Sequence, residues 1–289
     1  MCSSSLTAIH LACQSIRNGH CEVAVAGGVN VSVHPNKFLV LAQGQFASSG
    51  GLCRSFGEGG DGYVPAEGVG AVLLKPLSQA IEDGDRIYGV IRGSAINHGG
   101  KTNGYTVPNP TAQGEAITEA LAQSGINARA ISYIEAHGTG TSLGDPIEIA
   151  GLSKAFAQHT SDKQYCAIGS AKSNIGHAES AAGIAGLTKV LLQMRHKTLV
   201  KSLHSEVLNP HIEFKATPFV VQQSTQAWER PVIDGRESPR IAGLSSFGAG
   251  GSNAHLIIEE YEDHRPGAAN AGPVVVVLSA KNEERLKEQ

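Results

Sequence analysis

Along most of this chain, β-favouring apolar runs alternate with helix-patterned segments, and that alternation decides the fold class before any other feature does. Val23–Ala26, Gly68–Leu74, Arg86–Ser94, Ile131–Ala136, Cys166–Ala171, Ile241–Ser246 and His255–Glu259 read as strands. The first is expected to end at Gly27-Gly28, and Gly68–Leu74 is expected to be buried. Residues 3–17, 112–124 and 178–195 read as helices. Leu6, Ile9, Cys13 and Ile16 share one face of the first, while Gly19 and Gly125 stop the first two. The third is rich in Ala and Gly, as a closely packed central helix requires. Asp145-Pro146-Ile147-Glu148 reads as a further helix start, with Asp145 as cap, Pro146 in the first position and Glu148 closing a capping box. Residues 44–62 and 97–111 are polar loops, and the glycine-rich turn Gly248–Ser252 joins the last two strands. The implied class is α/β.

A chain of 289 residues has room for one large core or two smaller ones. Apolar residues make up 41% and charged residues 17%, so no disordered composition is present. A net charge of −3 gives no electrostatic footprint for nucleic acid or an anionic membrane. The longest strongly apolar run, near Pro273–Leu278, is too short to span a bilayer. The opening MCSSSLTAIH lacks the layout of a signal peptide. The cysteines are Cys2, Cys13, Cys21, Cys53 and Cys166, an odd set without a CxxC pair. That pattern argues against a zinc or redox dithiol site and fits a reducing cytoplasm.

Three small-residue turns each present one reactive side chain. Cys2 precedes a helix, where backbone N–H groups and the helix dipole favour a thiolate. His137 ends a strand within EAHGTGT, and His177 follows one within KSNIGH. Strand C-termini of an α/β sheet converge on one edge, so one Cys and two His delivered there make a candidate nucleophile-and-oxyanion site. Each signal is weak alone: a lone cysteine is more often a small buried hydrophobe, and a histidine beside glycines a satisfied polar group. Gly248-Ala249-Gly250-Gly251 lacks both the GxGxxG layout and a Walker lysine, so nucleotide binding is disfavoured. Spacing marks a site and does not name its reaction.

Four ordered segments resemble the β-ketoacyl synthases: CSSSLTAIHLACQSIRNG the cysteine segment, EAHGTGTSLGDPIE the first histidine motif, KSNIGHAESAAGIAGL the second, and SSFGAGGSNAH the C-terminal glycine-rich turn. Together they span residue 2 to about 260. The variant resembles a ketosynthase of a modular polyketide synthase, and MCSSSL with FGAGG is most similar to assembly lines whose acyltransferases act in trans. The resemblance implies a thiolase-like layered fold (α-β-α-β-α). It divides the chain into a ketosynthase unit over 1–260, with halves meeting near 108/109, a linker at 261–272, and the start of a post-ketosynthase linker subdomain at 273–289. It also implies roles. Cys2 takes the acyl chain from the phosphopantetheine arm of an acyl carrier protein, and His137 and His177 orient a malonyl thioester and stabilise its enolate. The N–H groups of Cys2 and Ala249 form the oxyanion hole. Lys172 and Glu148 are a supporting ion pair, and Thr139 and Thr141 contact the pantetheine arm. No cofactor or metal of its own is implied. The implied partners are the carrier protein, an acyltransferase or neighbouring synthase domains, and a second copy in a homodimer.

Two departures stand out. Ala249 occupies the position where fatty-acid-type relatives carry a gating Phe, which implies a more open acyl pocket here. The family also has a long segment before the cysteine, supplying the first strands and much of the dimer interface, whereas this chain starts one residue before it. The expectation is therefore an N-terminally truncated, incomplete fold with exposed apolar faces, in which Cys2 is poorly supported and the isolated chain inactive. A degradative thiolase would place a second cysteine where one histidine stands, and a cysteine hydrolase needs one Cys–His pair with an orienting Asn or Asp. The remaining alternative is a non-elongating domain that only passes acyl chains, and such domains usually lack the first histidine motif, which is intact here.

Overall fold

The computed structural model describes residues 2–104, 107–265 and 277–288. The elements run α1 (Ser4–Arg17), β1 (Ala24–Asn30), α2 (Asn36–Gln43), β2 (Gly68–Leu74), α3 (Leu77–Glu82), β3 (Val90–His98), α4 (Pro110–Ser124), β4 (Tyr133–Glu135), α5 (Gly144–Phe156), β5 (Cys166–Gly169), α6 (Lys172–Ile175) and α7 (Ala182–His196). There follow β6 (Thr198–Leu199), β7 (Phe219–Val221), β8 (Gln226–Ala227), β9 (Val232–Ile233), β10 (Arg236–Glu237), β11 (Ile241–Phe247), β12 (Ser252–Glu259) and α8 (Glu283–Lys287).

Six strands form the main sheet in the order β3-β12-β11-β4-β5-β7. β11, β4, β5 and β7 are mutually parallel, while β12 runs antiparallel to both β11 and β3. Apolar side chains cover both faces of this sheet. On one face Ile117 and Leu121 of α4 and Leu152 and Phe156 of α5 pack with Ile134, Ile168 and Phe219. On the other, Leu6 and Ile9 of α1 and Leu187 and Val190 of α7 pack with Leu244 and Leu256. Burial on both faces explains why β4 and β5 read as continuous apolar runs rather than alternating ones.

Beyond α1 and α7 lies a second layer, the antiparallel ribbon β1–β2, paired from Ala24↔Leu74 to Asn30↔Gly68. The layering of helices, sheet, helices and ribbon follows the layered order expected from the sequence. Three details of the ribbon correct the sequence reading. β1 continues through Gly27 and Gly28 to Asn30. A Cβ on Gly28 would stand 2.6 Å from the Ser180 carbonyl oxygen and 2.9 Å from Ser5 Cβ, so Gly28 allows the strand to lie against the helices rather than ending it. β2 is not buried but alternates, with Val69 83% and Leu73 66% exposed. Finally, α2 forms where no helix was expected, and none of its residues is buried. Of the anticipated strand at 273–280, residues 273–276 lie outside the described residues and 277–280 carry no regular structure.

Candidate active site

β4 and β5 pair in parallel, Glu135 opposite Gly169, so the chain leaves both strands at one edge. The next residues carry His137 on one side and Lys172 on the other. His137 sits on a turn whose backbone is held from beneath. The N–H groups of His137 and Gly138 donate to the two carboxylate oxygens of Glu148, at 2.7 and 2.8 Å. Asp145 in turn accepts from Phe56 N at 2.7 Å and Gly140 N at 3.1 Å. This replaces the expected capping box: α5 follows Leu143 with no side-chain cap, and both carboxylates serve buried loops. Orphan N–H groups inside the protein have no water to turn to, whereas a helix end at the cavity does. Burial pushes the carboxyl of Asp145 up to about 6 and that of Glu148 up to about 7.

His177 is anchored through its backbone, His177 N donating to Val64 O at 2.7 Å and Ala66 N to His177 O at 3.0 Å. Gly176 precedes it at φ 79°, and a Cβ there would meet Val64 O at 2.8 Å. Glu179, at an unusual φ of 44°, points its N–H at His177 Nδ1, 3.0 Å away. Because Nδ1 accepts, the ring proton is on Nε2, which is buried with no protein partner. The His137 ring lies 5.4 Å from the His177 ring, centroid to centroid, at 83°. Its Nδ1 is likewise without a partner. Tyr63 packs against His177 at 4.8 Å and Phe247 against His137 at 6.0 Å. Burial, and then the charge of Lys172, hold both imidazoles well below the usual histidine range. Both are neutral hydrogen-bonding groups at physiological pH.

Cys2 comes just before the Ser3 cap of α1. The expectation of a resting thiolate is corrected: burial raises the thiol above its ordinary value, and the hydrogen bond from Ala249 N–H and the charge of Lys172 only oppose that. The site therefore rests as a thiol with its ionising influences already in place. The expected direct ion pair between Lys172 and Glu148 is also absent among contacts within 4.0 Å; the Glu148 carboxylate faces the His137 turn instead. Thr139 and Thr141 stand together, Oγ1 to Oγ1 3.4 Å, with Gly144 N donating to Thr141 at 3.0 Å.

Cys2, His137, His177, Thr139, Thr141, Glu148 and Ala249 all line one cavity of about 700 Å³. Its volume suits a substantial acyl thioester. Phe46, Tyr63, Phe247 and Asn253 complete its walls and were not singled out from the sequence. Phe46 and Tyr63 come from loops with no periodicity or motif of their own, whereas Phe247 and Asn253 fall within SSFGAGGSNAH. Five free cysteines are present, and among the described residues no helix is long and apolar enough to cross a membrane.

Family profiles match the chain in three consecutive parts. The N-terminal domain of β-ketoacyl synthase covers residues 1–80, its C-terminal domain residues 88–206, and the ketoacyl-synthetase C-terminal extension residues 209–289. Polyketide synthase PksL of Bacillus subtilis (strain 168) is 67% identical over 298 residues, which is all of this chain and 6% of PksL. Polyketide synthase ThaG of Burkholderia thailandensis is 61% identical over 99% of the chain and 5% of its own length. Among solved structures, the oxazolomycin ketosynthase domain OzmH KS7 of Streptomyces albus JA3453 superposes with a TM-score of 0.96 at 60% identity, covering 99% of this chain and 50% of that one. The module 6 ketosynthase of the bacillaene synthase from Bacillus subtilis 168 gives 0.92 at 46% identity, over 99% and 49%. The chain thus spans about half the length of the solved ketosynthases and a small fraction of the curated synthases.

Proposed function

This chain belongs to the β-ketoacyl synthase family, as a ketosynthase related to those of polyketide synthases, and from that premise we propose that it elongates an acyl chain by decarboxylative Claisen condensation at Cys2. The carrying observation is the pair of neutral imidazoles, His177 buried and His137 half-buried, beside a cysteine in one cavity, with His177 held as an Nε2–H donor.

In the first half-reaction the Cys2 thiol loses its proton and attacks an acyl thioester presented on the phosphopantetheine arm of an acyl carrier protein. The carrier thiol leaves, and the acyl group stays on sulfur. Ala249 N–H and Cys2 N–H then serve as donors to the thioester oxygen. In the second, a malonyl-type thioester enters. Its carboxylate departs as carbon dioxide, and the electron pair of the broken C–C bond delocalises onto the thioester oxygen. The N–H groups of His177 and His137 stabilise that charge, and neutral rings suit the task because each keeps an N–H to donate and has no acidic proton to surrender to the enolate. The enolate carbon attacks the acyl carbonyl on Cys2, the C–S bond breaks, and the β-ketoacyl thioester leaves on the carrier while Cys2 regains a proton. Thr139 and Thr141 line the approach of the pantetheine arm, and Glu148 and Lys172 support the two histidine turns from their opposite ends.

The intact EAHGTGT turn favours elongation over mere acyl transfer. The working context is a cytoplasmic polyketide synthase of the kind served by acyltransferases in trans, acting as a homodimer beside neighbouring synthase domains. Replacing Cys2 with Ala should abolish acyl loading followed by intact-protein mass spectrometry. His137→Ala should load and fail to condense. Loading that persists in the Cys2 variant refutes the assignment.

A further inference from the structure

Glu135 is the last residue of β4, two before His137, and is 2% exposed. Its Oε1 accepts from Ala171 N–H at 2.6 Å, and its Oε2 accepts from the Tyr133 hydroxyl at 2.7 Å. Lys189 of α7 reaches both, at 2.8 Å from Glu135 Oε2 and 2.8 Å from the Tyr133 hydroxyl oxygen. The residue after Ala171 is Lys172, which is buried yet has no side-chain hydrogen bond or ion pair among the described residues. A small cavity of about 10 Å³ lies between the two, lined by Glu135, Ala171, Lys172 and Ser245 among others. That is the volume of a single water, and carboxylate, ammonium and hydroxyl are the partners a buried water requires.

We propose that Glu135 is a positioning residue for condensation: it supplies the counter-charge of Lys172 across one bridging water, and its bond to Ala171 N–H fixes the turn on which Lys172 stands. The inference rests on the ketosynthase reading above. Burial pulls the Lys172 ammonium down, and Glu135 is the leading influence in the other direction, ahead of Glu148. Also facing Lys172 are Asp145 of α5, Cys2 ahead of α1, Cys53 from the loop before β2, and the two histidines. Burial first, and then Lys172, hold His137 and His177 below the usual histidine range, and Lys172 also opposes the burial that raises the Cys2 thiol. A positive charge close enough to act on both rings also acts on the enolate oxygen that they hold, so its loss at high pH withdraws support from condensation.

Glu135→Gln and Lys189→Met break the same ion pair, but they change the charge around Lys172 in opposite senses. Without the Glu135 carboxylate, Lys172 loses its proton at lower pH. Without the Lys189 ammonium nearby, it loses it at the same pH or higher. The experiment follows β-ketoacyl product formation against pH in the protein with its native flanking sequence, on wild type and both variants. The position of the alkaline limb is read from the shape of the curve and does not depend on the fraction folded. In Glu135→Gln the limb should move down by about one pH unit, with condensation above it falling about tenfold. In Lys189→Met it should stay or move up. Limbs that coincide in all three proteins, or that move together in the two variants, overturn the proposal and leave the ketosynthase reading standing. A wild type that loads but forms no β-ketoacyl product overturns both.

Discussion

β11 and β12 are buried almost end to end, whereas β1 and β2 bury no more than alternate residues and turn Val25, Val69 and Leu73 outward. Both layers flank α1 and α7, and side-chain hydrogen bonds tie the nucleophile's helix to the sheet and to α7. Ser3 Oγ donates to Ser252 Oγ at 3.1 Å, Ile184 N donates to Ser5 Oγ at 3.0 Å, and His10 Nδ1 lies 3.0 Å from Ser94 Oγ. Leu6 and Ile9 are fully buried beneath them. The helix behind Cys2 is tied to β12, β3 and α7. The ribbon contributes a close-packed inner face and an outer face that is largely apolar and bare.

The contrast is broken or sharpened first by stability. Leu256→Ala should cost about 3 kcal/mol of unfolding free energy, and Val69→Ala about 0.5 kcal/mol or less, by urea titration. A ribbon substitution as costly as the core one would mean that the outer face is covered in solution. Gly183→Val comes next. Its Cβ would stand 2.5 Å from Leu6 Cγ, so the wedge presses α1 off α7 and should cost about 2 kcal/mol. Acyl loading of Cys2 should fall with it, while an equal wedge on the ribbon's outer face leaves loading alone. Lys172→Met removes a charge that favours the Cys2 thiolate. Alkylation of Cys2 by iodoacetamide at pH 8 should slow by about threefold, and unchanged alkylation would detach the nucleophile from the sheet-edge electrostatics. The smallest effect is on the acid side. Burial, and then the charge of Lys172, hold both histidines well below their ordinary value, so an acid limb of condensation should belong to the carboxyls of Asp145 and Glu148, raised to about 6 and about 7, rather than to the rings. A limb that stays unmoved in Glu148→Gln, measured against pH at saturating substrate, would place the rings in a wetter setting than the sheet edge provides.

The regions differ equally in what a reader of the sequence can recover. β4, β5 and β11 are short runs that lead towards glycine-containing turns and β12 follows one, and burial on both faces leaves that mark directly in composition. His137 and His177 were legible because they follow those runs. The ribbon was misread because its glycines look like a stop, although what they answer is the closeness of Ser5 and Ser180, far apart in the chain. Asp145 and Glu148 were misread for a related reason. Their local pattern is that of a capping box, and only the fold brings Phe56 and the His137 turn within reach of them. The Cys2 thiol followed the same course: a helix start argues for a thiolate, and depth of burial, invisible locally, argues more strongly against it. Tyr63 and Phe46 carried no signal at all, since loop residues that meet a site in space need not meet it in spacing.

Glu179 has one further consequence. By aiming its backbone N–H at His177 Nδ1, it occupies the only lone pair through which that ring could accept a proton. A ring so held lends its Nε2–H to the developing enolate oxygen and keeps it throughout, and no N–H bond is made or broken at this position during turnover. Decarboxylation should then run at nearly the same speed in heavy water as in ordinary water, because the isotope sits in a bond that the reaction leaves intact.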